Sequence, residues 1–187
     1  MEVNKNLRVS TITFISEIDS NIQLSELYDN LNITETIRYI EFGPDKIKGE
    51  PVRKIKKPRK NKIKKSFYNQ LTLHIFKDKR INVKIFNNGR IQMTGLKKEK
   101  QGIDIVQFIL ELLMNLPITI RESILDNTEP SMKESKIALI NSDFDMRFKI
   151  NREILHRLIV SRGYYSSYEP TIYPGVNIKY NYNPSNL

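Results

Sequence analysis

The sequence predicts an α+β fold: an antiparallel sheet with helices on one face, built as two pseudo-repeats of which the second is incomplete. Three observations lead there. Asn87-Asn88-Gly89 stands between two alternating apolar segments, the pattern of a tight β-hairpin. Residues 99–116 are strongly apolar at helical spacing and are closed by Pro117. The order strand, helix, extended segment then occurs twice within 187 residues, a sign of internal repetition.

Taken in order, Val9 to Ile15 alternates apolar and polar side chains and reads as a strand. Leu24, Leu27, Tyr28 and Leu31 follow the i, i+3, i+4, i+7 spacing of a short amphipathic helix. Residues 34–42 fit either a second short helix or a strand. Lys46 to Lys65 crowds Lys and Arg around Gly49, Pro51 and Pro58, so a solvated basic loop is expected, outside the core. It could track phosphates, serve as a nuclear-import signal, or be a plain charged insertion. Strands are predicted at Phe67–Phe76, Ile81–Phe86 and Arg90–Thr94. The helix over 99–116 is apolar on nearly every side, so a partner or another part of the protein should cover what the sheet does not.

After a connector over 117–136, a strand is predicted at 137–148 and a helix over Arg152–Arg162. Asn151 suits its N-cap and Gly163 its C-terminal stop, with Ile154, Leu155, Leu158 and Ile159 inward and His156 and Arg157 outward. Two X-Pro steps, Glu169-Pro170 and Tyr173-Pro174, should then stiffen an extended lead-in to a strand that presents Tyr173. The expected organisation is a first repeat over 7–116 with the basic insertion 46–65, the connector, and a partial repeat over 137–187.

Charge narrows the function. The chain carries 31 Lys+Arg against 21 Asp+Glu, a formal +10, which favours a polyanionic partner. Neither a basic amphipathic helix nor a long apolar span is present to favour membrane. There is no Cys, and His74 and His156 stand apart, so no metal or other cofactor is expected. The N-terminus lacks an apolar core of the signal-peptide kind, so secretion is not expected. No paired-carboxylate motif, Ser-His or Cys-His set, or Gly-rich phosphate loop is visible, so no enzymatic activity is expected.

Alternation assigns faces to the hairpin. Val83, Ile85, Ile91 and Met93 should pack beneath helices, leaving Lys84, Phe86, Gln92 and Thr94 on the other side. A cation, an amide, a hydroxyl and one large aromatic suit a surface that reads DNA edges. An ordinary sheet with one wet face and a stray Phe carries the same pattern.

Four motifs add to this reading. Val9-Ser10-Thr11-Ile12, residues 83–95, Asp145-Met146-Arg147-Phe148 and Ser166-Ser167-Tyr168-Glu169-Pro170 through Tyr173-Pro174-Gly175 resemble, in order, motifs of the TATA-box-binding protein (TBP) family. The resemblance implies a saddle: a curved antiparallel sheet whose underside sits in the DNA minor groove, with helices on the convex face. It further implies Phe86 and Tyr173 as wedges between bases, with Phe67 as the partner of Phe86. Thr94 would touch base edges, Arg90, Lys97 and Lys179 would meet phosphates, and Val9 would line the floor. Lys84 and Gln92 share the DNA-facing side. Glu169 matches an acidic residue that holds a TFIIB-type factor, while Thr171 stands where a second acid would be.

This chain departs from the family at several of these places. Leu7 and Leu139 replace the asparagines that read the centre of the site, Asn141 replaces a floor valine, and Gln92 replaces an apolar floor residue. Two functions remain: a TBP-like initiation factor that binds and bends A·T-rich promoter DNA, or a protein–protein adaptor that kept the fold. Expected partners are duplex DNA, a TFIIB-like factor with its polymerase machinery, and a second copy through the 99–116 helix. Divergence and an AT-coded composition point to a viral member, acting in the nucleus, a viral factory or the virion.

Overall fold

The computed structural model describes residues 7–50 and 68–181, which fall into two compact units, Met1–Asp143 and Phe144–Leu187. Phe67 and most of the basic insertion lie outside the described residues.

The first unit is one seven-stranded sheet with helices on a single face. Along the chain come β1 (Arg8–Ile18), α1 (Leu24–Asn30), β2 (Ile37–Phe42), β3 (Lys46–Gly49), β4 (Gln70–Phe76), β5 (Arg80–Phe86) and β6 (Arg90–Leu96). Then follow α2 (Glu99–Met114), α3 (Ile118–Ile124) and β7 (Met132–Asp143). The strand order is β3-β2-β4-β5-β6-β1-β7, with every neighbouring pair antiparallel.

Alternation produces the two faces. Ile12, Phe14 and Ile18 of β1, Leu71, Leu73 and Ile75 of β4, Val83 and Ile85 of β5, and Ile91 and Met93 of β6 are buried under the helices. Each such side chain contributes about 1.5–3 kcal/mol by leaving water. Residues 34–42 prove to hold a strand, β2, and both hairpin faces are as predicted. The hairpin turn needs Gly89: its φ is +78°, and a Cβ there would stand 2.4 Å from the Ser20 carbonyl oxygen.

α2 spends most of its apolar surface inside this unit. Ile105, Val106, Ile109, Leu110 and Leu113 are buried, and Phe108 and Leu112 pack partly against the same core, so only Ile103 and Met114 are left largely exposed. Gln101 Oε1 accepts the backbone N–H of Lys97 (2.8 Å) and Lys98 (3.1 Å), satisfying two donors at the helix start. Gly102 lies directly on the Phe14 ring.

Three sequence expectations change here. Lys46–Gly49, expected in a solvated loop, is an edge strand whose lysines turn toward α1. Lys48 Nζ donates to the carbonyls of Tyr28 (2.7 Å), Leu31 (2.7 Å) and Asp29 (3.2 Å), closing the C-terminal end of that helix. The 117–136 segment contains α3 and the start of β7. The strand expected at 137–148 runs instead from 132 to 143, because β7 follows β1 along its whole length, from Ile18↔Met132 to Arg8↔Asp143.

The second unit holds α4 (Arg152–Ser161), β8 (Tyr165–Ser167) and β9 (Asn177–Lys179), the two strands antiparallel. Asn151 caps α4 by accepting the Ile154 N–H at 3.1 Å, and Gly163 has φ +79° just past its end, both as expected. His156 turns inward rather than out, its Nδ1 2.9 Å from Ser166 Oγ on β8. Of the expected inward stripe, Leu155 and Ile159 are half-buried, while Ile154 and Leu158 are exposed. Along the chain β7 is followed by α4, β8 and β9, while β1 is followed by α1, β2, β3 and β4.

Candidate nucleic-acid interface

Among the described residues of the first unit, no helix covers the second face of the sheet, and its side chains form cross-strand rows. One row runs Tyr39, His74, Asn82, Thr94, Thr13, Leu139; the next runs Glu41, Thr72, Lys84, Gln92, Ile15, Lys136. Gln70 and Phe86 face each other beyond them. Gly95, at φ +98°, supplies the bulge opposite Ile12 and Thr13 that sends Thr94 to this face and Leu96 to the core.

The middle of this face consists of hydrogen-bonding groups that are largely uncommitted. Lys84 Nζ reaches Gln70 Oε1 at a long 3.4 Å. Among the described residues, the side chains of Thr13, Asn82, Gln92 and Thr94 have no hydrogen-bond partner, and the buried Nδ1 of His74 has none either. The β2 end is more closed. Tyr39 stacks on His74 with ring centroids 4.6 Å apart, and its hydroxyl donates to Glu41 at 2.9 Å. Burial, then that hydrogen bond to a carboxylate, pushes the Tyr39 phenol well above its ordinary pKa, so it stays a donor. Burial, aided by Arg80 and opposed by Glu41, lowers the His74 pKa and favours the neutral ring.

The expected contact residues divide. Lys84, Phe86, Gln92 and Thr94 are half-exposed on the open face, and Arg90 is exposed at the start of β6. Val9 is half-buried and packs partly against the core. The Lys97 ammonium is held by the carbonyls of Val9 (2.7 Å) and Ser10 (2.5 Å), so it fastens β1 to β6. Leu139 is 53% exposed at the end of its row. Tyr68, which the sequence reading passed over, is 67% exposed just ahead of Gln70 and edge-on to Phe42. It lies in the turn before β4, and its neighbour Phe42 packs against the helix-side core.

In the second unit the X-Pro segment is a turn, not an extended lead-in. The Glu169 carbonyl accepts the N–H of Ile172 (3.0 Å) and Tyr173 (2.9 Å), because the fixed φ of Pro170 suits the second position of a turn as well as it suits a strand. Arg152 Nη1 donates to the Pro174 carbonyl, and the Tyr173 ring lies against Gly175. The turn presents Ile172 at 85% and Tyr173 at 65% exposure. Thr171 Oγ1 donates to the Glu169 carboxylate at 2.7 Å, and Lys179 Nζ sits 4.9 Å from the Tyr165 ring centroid.

A sheet helical on one side and open on the other, with this element order, has the fold of the TATA-box-binding proteins. In structure it is similar to TBP of Methanococcus jannaschii, with a TM-score of 0.59 over 91% of this chain and 74% of that one, at 16% sequence identity. In sequence it is similar to a TATA-box-binding protein-like protein of Acanthamoeba polyphaga mimivirus, 28% identical over 203 aligned residues. That match takes in 94% of this chain and 54% of the relative, so the chain spans about half the length of the curated relative it matches. No protein-family model matches.

Proposed function

We propose that this TBP-like chain binds duplex DNA through the minor groove and bends it, preferring A·T-rich sequence, as an initiation factor does. The observation that carries the reading is the open face: uncommitted hydrogen-bonding side chains over β5, β6 and β1, with Phe86 at their border, in a chain of formal charge +10. Bases in the minor groove offer mainly acceptors, which Lys84, Thr94 and Thr13 can serve. Phe86 would unstack a base step in the first unit's share of the DNA, and Tyr173 would do so for the second. Unstacking costs a few kcal/mol per step, least at flexible TA steps, a cost established for TBP itself rather than from this chain. Arg90 and Lys179 would meet phosphates, and the site of action would be wherever the genome carrying this gene is transcribed. Glu169, beside the exposed Ile172, would face a TFIIB-like factor.

A second reading, a protein–protein adaptor, draws on the apolar exposure of Leu139 and Ile172. Binding to A·T-rich and G·C-rich duplexes across a salt series, with bending followed by end-to-end energy transfer, separates the two. A DNA-bending factor shows A·T preference and bending that Phe86→Ala abolishes. Equal, salt-sensitive binding to both duplexes without bending refutes the proposal.

A further inference from the structure

Resting on the minor-groove reading above, we propose that Gln92 and Asn82 accept the exocyclic amino group of guanine, so that the DNA under β5 and β6 takes a G·C pair at a defined position. An apolar floor excludes G·C from a minor groove because the guanine amino group, the only donor there, meets nothing that can accept it. Here the floor is not apolar. Gln92 lies on the open face between Lys84 and Ile15, and Asn82 lies between His74 and Thr94. As diagonal neighbours on paired strands they lie about 7–8 Å apart, their Cβ atoms somewhat closer, near enough to address one base pair or two successive ones.

Both amides are free. Neither has a hydrogen-bond partner among the described residues, and a carbonyl oxygen left facing a dehydrated groove without a donor would be penalised. The rest of the patch complements the same base pair. Lys84, directly across from Gln92, is a donor only, with its Nζ no nearer than 3.4 Å to Gln70 Oε1, and can serve the cytosine O2 or guanine N3 acceptor. Donor beside acceptor on the protein matches acceptor beside donor on a G·C pair, whereas an A·T pair leaves the amide oxygens unmatched. Ile15, on the far side of Gln92, offers no such partner, so the tolerance is confined to the β5–β6 side.

The test uses the intact chain and an A·T-rich duplex in which each position in turn is replaced by G·C or by inosine·C. Inosine lacks only the exocyclic amino group. At one position, or two adjacent ones, G·C should bind at least as tightly as A·T, and inosine·C on the order of tenfold more weakly than G·C. Gln92→Leu should reverse that order, with inosine·C then preferred over G·C. The inference is overturned if inosine·C binds better than G·C at every position, or if Gln92→Leu leaves the order unchanged. If bending and A·T preference persist in that case, only this inference falls. If no duplex is bent at all, the minor-groove reading falls with it.

Discussion

Replacing Lys48 with Met removes an ammonium that donates to three carbonyls, those of Tyr28 and Leu31 at 2.7 Å and Asp29 at 3.2 Å, and that lies 4.6 Å from the Tyr28 ring centroid. α1 has only seven residues and no basic side chain in its own last turn, so its terminal carbonyls depend on this lysine. A cation at a helix C-terminus contributes about 0.3–1 kcal/mol, and its contact with an aromatic face about 0.5–1 kcal/mol. Met keeps most of the packed stem, and water recovers part of the hydrogen bonding. The expected loss is therefore about 1–2 kcal/mol, a fall in melting temperature of roughly 2–8 °C for a protein of this size. Thermal and urea denaturation measure it, and hydrogen exchange should quicken in α1 specifically. Because the ammonium is occupied by protein carbonyls, the salt dependence of DNA binding should not change. An unchanged midpoint together with a salt slope reduced by about one would refute the reasoning and assign Lys48 to a phosphate.

Other changes probe the packing, the acid limit and the second unit. Gly102→Ala adds a Cβ 2.7 Å from the fully buried Phe14 ring; overpacking of about 1–3 kcal/mol outweighs the roughly 1 kcal/mol gained in helix propensity, so denaturation should show a net loss. Asp19, bonded by the Ser131 N–H and hydroxyl, and Asp126, bonded by Ser20 and Asn21, are both held below the ordinary value of 3.8. Their contribution is complete above that value and disappears as pH falls through their lowered pKa values, so Asp19→Asn and Asp126→Asn should flatten the acid limb of a stability–pH curve; a limb unchanged in both would contradict this. Tyr173→Phe removes a hydroxyl that must be desolvated on insertion, so bending by energy transfer should increase, and a decrease would argue that the hydroxyl finds a partner on DNA.

What the sequence showed depended on whether side chains alternated by chemistry. The Val83–Thr94 hairpin could be read residue by residue because one face is aliphatic, the other polar, and Asn-Asn-Gly forces the turn. The Asn151 cap was equally plain. β3 was hidden because its inward residues are lysines, whose charge suggests solvent while their length lets them reach helix carbonyls. The end of β7 was set by its partner β1, which no local pattern reveals. In the site, the polar face of the hairpin was legible, but His74, Asn82 and Thr13 joined it only through register between strands distant in sequence. Lys97 looked like a free cation until its carbonyl partners, 88 and 87 residues away, were in place.

β1 is bonded along both edges, to β6 and to β7, and its second edge closes at Arg8↔Asp143. β1 is therefore completed only after the other strands of this sheet have been made. Loop closure over such a separation is slow, and until residue 143 has emerged β1 keeps a bare row of backbone donors and acceptors. The interval between synthesis of β1 and arrival of its last neighbour, β7, is when this strand is most open to pairing with the wrong partner.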